Sequence, residues 1–124
     1  MKILFWNIGK RLSDKKQELI QAAINNIKPD IFCIAEGSVS KADCQKIVAL
    51  FVENSFYCYY SPLFSEELKL PYGYDPNGLK IFVKVKSILS ERFSFPNQRK
   101  DGRIVILKAN VNTTPAVIVF LHNK

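Results

Sequence analysis

Two apolar runs near the amino terminus, ILFWNI (residues 3–8) and DIFCIA (30–35), constrain this chain more than any other feature. Each is too short for a helix and apolar on both faces, the pattern of a strand covered on both sides by other layers. Between them, Leu12, Leu19, Ile20, Ala23, Ile24 and Ile27 recur at helical spacing. Ser13 or Asp14 is the expected N-cap of that helix, with Gln17 at the reciprocal position of a box with Asp14. Pro29 closes it, because the residue before a proline is pushed out of the helical region. Strand, helix and strand joined by short connections form a crossover unit with parallel strands.

The pattern then changes. A second helix is expected over 40–53, capped by Ser40, with Ile47, Leu50 and Phe51 as its inward stripe. FYCYY (56–60) reads as a strand. Residues 61–78 hold three prolines and two glycines, which predicts an irregular loop long enough to be functional. LKIFVKV (79–85) is the next strand, followed by a segment with little pattern. GRIVILKANV (102–111) and AVIVFLH (116–122) form a hairpin around the turn NTTP. The expectation is one α/β domain over 1–124, with a mixed sheet and an antiparallel second half. The sequence stops just after a strongly apolar strand whose far face nothing else in it can cover, so a fragment of a larger domain is expected.

Composition sets wide bounds. With 48% hydrophobic residues the chain can bury a real core. Three cysteines without a CxxC spacing argue against a disulfide scaffold or a zinc site, and Cys33 reads as a small core residue. The amino-terminal apolar run is too short for a secretory signal, and no stretch approaches a membrane span, so a cytoplasmic location is the default. The net charge is +7, and between Lys80 and Lys108 there are eight basic residues against two acidic ones. That bias suits a polyanionic partner, nucleic acid in particular, although solvated surface lysines look the same in a sequence.

Chemistry is expected where the first two strands end. Asn7 and Glu36 stand at their carboxyl ends, and in a parallel unit those ends share one edge of the sheet. A carboxylate beside an amide oxygen is hard-ligand chemistry suited to magnesium. An ordinary strand-end glutamate and a turn-forming asparagine remain the other reading. Lys80, Lys84 and Lys86 alternate onto one strand face, either solvated or facing phosphate, and Arg99 and Lys100 can extend that track. Tyr57, Tyr59 and Tyr60 can stack on bases or pack in the core, and Tyr72 and Tyr74 add two loop aromatics.

The residues themselves narrow the choice. ILFWNIGK, a helix, then PDIFCIAEG closely resembles the opening of the endonuclease/exonuclease/phosphatase superfamily, a strand ending in W-N followed by P-D-I and a strand ending in Q-E. Ala35 replaces the commoner Gln before the glutamate. NGLKIFVK (77–84) is similar to the family's N-G strand, and GRIVILKANV through AVIVFLHNK to a strand ending in histidine in deoxyribonuclease-like members. The resemblance implies half of a four-layer α/β sandwich, with two helices on one side of a mixed sheet. It implies magnesium, with manganese as a possible substitute, held by Glu36. Asn7 would then be a polar partner of metal or phosphate, Arg103 a phosphate contact, and His122 the general acid/base, with Lys80 and Lys84 as further phosphate-binding candidates. The family's histidine pairs with a glutamate on the preceding strand, for which Asp75 and Asn77 are the nearest equivalents here.

The family's later G-D-x-N and S-D-H motifs do not occur in this sequence. Two functions are therefore expected. One is magnesium-dependent phosphodiester hydrolysis, with nucleic acid as the expected substrate, that needs a complementing C-terminal half. The other is a non-catalytic nucleic-acid-binding or protein-interaction module, associating with itself or a partner through the last strand.

Overall fold

The computed structural model describes residues 2–9, 11–38, 40–63, 78–84, 89–94, 104–111 and 114–122. Strand β1 (Ile3–Asn7), helix α1 (Asp14–Ile27) and strand β2 (Ile31–Ala35) form the crossover unit, and β1 pairs parallel with β2 from Ile3↔Ile31 to Asn7↔Ala35. Helix α2 (Lys41–Glu53) leads to β3 (Tyr57–Tyr60), and β4 (Lys80–Val83) inserts antiparallel between β2 and β3. The first sheet has the order β1-β2-β4-β3 and is mixed. The second, β5 (Leu89–Ser94), β6 (Ile104–Val111) and β7 (Thr114–Leu121), is antiparallel in the order β5-β6-β7. The chain is thus of the α/β class, with both helices on one face of the mixed sheet.

Alternation along the strands divides the core in two. On one face, Phe32, Ile34 and Phe82 meet Ile20 and Ile24 of α1 and Ile47 and Phe51 of α2. Phe51 stacks on Phe82 and meets Phe32 edge-on, which locks α2 to the centre of the sheet. On the other face, Ile31, Cys33, Ala35, Ile81 and Val83 meet Val105, Leu107 and Phe120 of the second sheet. The Tyr59 hydroxyl donates to the Ile106 carbonyl at 2.9 Å, tying the two sheets together. The layers therefore run helices, mixed sheet, antiparallel sheet.

Several local expectations need correction. Strand β1 is not covered on both sides: it is the sheet edge, and Ile3 and Phe5 are exposed where the second core cluster stops at β2. The N-cap of α1 is Ser13, whose hydroxyl accepts from the Lys16 amide, so the reciprocal position belongs to Lys16 and the Asp14–Gln17 box does not form. The patternless segment after β4 contains a strand, β5, paired to β6 with a register shift between Leu89 and Glu91. Ser40 caps α2 as expected. Among the described residues no helix is long and apolar enough to cross a membrane.

Candidate active site

Parallel pairing brings the ends of β1 and β2 to one edge, and the ladder continues past both strands. Ile8 N–H donates to the Ala35 carbonyl, and Gly37 N–H donates to the Gly9 carbonyl. Asn7 stands beside Ala35, its Oδ1 accepting the Gly9 amide at 3.0 Å, so the side chain braces its own turn. Glu36 follows Ala35 with φ +63°, a left-handed backbone in a residue that carries a side chain. Such a conformation costs on the order of 1 kcal/mol or more and persists only where the surroundings enforce it.

The second sheet contributes a partner. Inward-facing positions of β7 alternate through Ile118 and Phe120, and His122 continues that alternation just past the strand. Its Nε2 lies 3.7 Å from Glu36 Oε1, with the histidine side chain 6% exposed and the glutamate 21%. A carboxylate from one sheet and an imidazole from the other thus meet at a corner of the sandwich. The separation is that of an ion pair rather than a close hydrogen bond. The histidine's partner is Glu36, whereas the expected equivalents, Asp75 and Asn77, lie outside the described residues, as does Arg103.

The lysines do not form the expected track. Lys80 is on no solvated face: it is completely buried, and its Nζ donates to the Glu36 carbonyl at 2.7 Å and to the Gly78 carbonyl at 2.9 Å. Lys84 shares its strand face but stands four residues on, about 13 Å away at ~3.3 Å per residue, beyond the opposite edge of the sheet. There its ammonium sits over the Phe56 ring, 4.8 Å from the centroid, and donates to the Asn54 carbonyl. It lines a cavity of about 500 Å³ with Ile24, Lys28, Asp30, Asn54 and Phe56, remote from Glu36. Lys86, Arg99, Lys100, Tyr72 and Tyr74 lie outside the described residues. Of the strand tyrosines, Tyr59 and Tyr60 are core residues and Tyr57 is exposed.

Sequence reasoning missed the role of Lys80. The available signal was a lysine inside the apolar run LKIFV, where β4 is buried at every position. It also missed Gly37, whose φ is +82° and whose Cβ, if present, would fall 2.3 Å from Ile8 Cδ1. Burial pushes the Cys33 thiol well above its ordinary range, opposed in part by the Lys80 ammonium, so Cys33 is a neutral core thiol and no nucleophile.

For a divalent cation, the corner offers one carboxylate, an amide oxygen already engaged with Gly9, and a histidine. Among the described residues no group of three or more His, Cys, Asp or Glu side chains gathers to hold a metal. The set fits one wall of a magnesium site, since magnesium keeps several waters and takes only one or two carboxylates from protein. The chain matches no family model, no curated protein and no solved structure.

Proposed function

We propose that this chain carries one wall of a magnesium-dependent phosphodiester-hydrolysing site of the endonuclease/exonuclease/phosphatase type, acting on nucleic acid. The observation that carries the reading is the corner where Glu36 and His122, 86 residues apart in sequence, come within 3.7 Å. A carboxylate has two oxygens, so Glu36 can face His122 through one and hold the cation through the other, with Asn7 beside it. The cation, when bound, supplies Lewis-acid polarisation of the phosphoryl oxygens. His122, whose Nε2 faces Glu36 across 3.7 Å, is suited by its chemistry to hold or move a proton at that nitrogen. Glu36 near that nitrogen orients the ring. The water-activating Asp and a second histidine have no counterpart in this sequence, so another polypeptide segment supplies the opposite wall. The surplus of basic residues in the second half supports a polyanionic substrate.

Manganese binding to the chain tests this reading without relying on turnover. Water-proton relaxation is expected to reveal one saturable, weak Mn²⁺ site, and Glu36→Gln is expected to weaken it at least ~10-fold. Absence of saturable binding, or binding indifferent to Glu36→Gln, rejects the metal site.

A second reading is favoured by a separate observation. Val117, Val119 and Leu121 of β7 form an exposed apolar stripe on the outer face of the second sheet. Such a stripe suits a non-catalytic interaction module that associates through its last strand.

A further inference from the structure

Lys80 is the one ammonium buried completely among the described residues, and it sits in a strand whose other members are apolar. Removing an ammonium from water costs several kcal/mol unless the protein replaces the lost hydration. Here that replacement includes two main-chain carbonyls, those of Glu36 and Gly78, at 2.7 and 2.9 Å. Charge-assisted bonds of that kind are short and roughly twice as strong as neutral ones. Their targets matter. Gly78 leads into β4, whereas Glu36 is the left-handed residue that ends β2 and faces His122.

A left-handed glutamate is unstable by itself, and the surroundings of this one over-determine it. Gly37 N–H is tied to Gly9, the missing Gly37 Cβ leaves room for Ile8, and the Lys80 ammonium grips the Glu36 carbonyl. The first and last contacts grip the two ends of one peptide unit, its Gly37 N–H and its Glu36 carbonyl, and Lys80 is the side chain that does so. Fixing that carbonyl fixes the peptide plane after Glu36, and with it the direction in which the carboxylate leaves the turn.

We propose that Lys80 is a positioning residue for Glu36: its buried ammonium holds the Glu36–Gly37 turn so that the carboxylate is presented at the His122 corner. The significance for metal binding rests on the reading of Glu36 given above; the hold on the turn does not. A lysine in this role makes no contact with phosphate, which reassigns the residue from substrate binding to support of the site.

The test uses the full chain, isotope-labelled, beside Lys80→Met and Lys80→Arg. In the unaltered chain the Lys80 ammonium protons are expected to exchange slowly enough with solvent to give a resolved signal; a rapidly exchanging ammonium overturns the proposal whatever the variants do. In Lys80→Met the Gly37 amide is expected to lose hydrogen-exchange protection by ~10-fold or more, while Cys33 and Phe82 amides in the strands keep theirs. Mn²⁺ affinity is expected to fall about 10-fold, the size typical of outer-shell support, and Lys80→Arg is expected to recover part of both losses. A Met variant with unchanged Gly37 exchange overturns the proposal. If the turn loosens in Lys80→Met but the unaltered chain binds no Mn²⁺, the positioning role stands and the metal reading fails.

Discussion

At Gly37 the backbone lies at φ +82°, and an added Cβ would meet Ile8 Cδ1 at 2.3 Å and Cγ1 at 2.5 Å. Both effects oppose any side chain: left-handed backbone costs about 1–2 kcal/mol outside glycine, and Ile8, itself buried, has to move. Gly37→Ala is therefore expected to lower unfolding free energy by about 2 kcal/mol in urea titration. A loss below ~0.5 kcal/mol, the range of ordinary surface substitutions, would show that the turn relaxes freely. Glu36 beside it tolerates the same backbone region while bearing the carboxylate that meets His122. Its identity as a candidate was legible from its place after DIFCIA. Its strain was not, because φ depends on what the neighbouring strands and Lys80 impose.

The two helices show how local signals become an element pair. Asn54 closes α2 by donating to the Leu50 carbonyl at 2.8 Å, and it exchanges two amide hydrogen bonds with Gln21 of α1, at 2.9 and 2.8 Å. One part-buried side chain thus caps one helix and clamps it to the other. Asn54→Ala is expected to cost about 1–2 kcal/mol, since it breaks the cap and leaves Gln21 without its reciprocal partner. In a double-mutant cycle with Gln21→Ala, a coupling of at least ~0.5 kcal/mol is expected, and strict additivity would show that the clamp contributes nothing. The helices themselves were legible from their apolar spacing and their serine caps. The clamp was not, because Gln21 and Asn54 stand 33 positions apart with no periodic signal linking them. Strand β5 was missed for a related reason: LSERFS has no clean alternation, and its pairing to β6 includes a register shift.

At the scale of the whole molecule, the described residues of the second sheet leave an apolar stripe exposed on its outer face. Val117, Val119 and Leu121 alternate outward on β7 while Ile118 and Phe120 face the core, and Ile106, half-buried, lies opposite Val119. β7 is an edge strand without a charged residue, the kind of edge that other proteins protect with lysine. Sedimentation velocity over a range of concentrations is expected to show association of the chain, and Val119→Lys is expected to suppress it without loss of fold. A chain that stays monomeric at every concentration rejects self-association through β7.

Sequence alone determined the elements whose information is local. The paired apolar runs required parallel strands, the serine caps and apolar spacing located both helices, and parallel pairing dictated that Asn7 and Glu36 share an edge. Tertiary structure decided everything that depends on which faces meet. It made β1 an edge, buried Lys80 instead of exposing it to phosphate, sent Lys84 to the far end of the sheet, and brought His122 from the second sheet to Glu36. A strand's pattern states which residues share a face, but the layer that covers that face is chosen by the packing of segments far apart in the chain. The candidate site lies where two such layers meet, so its members were legible one by one and their meeting was not.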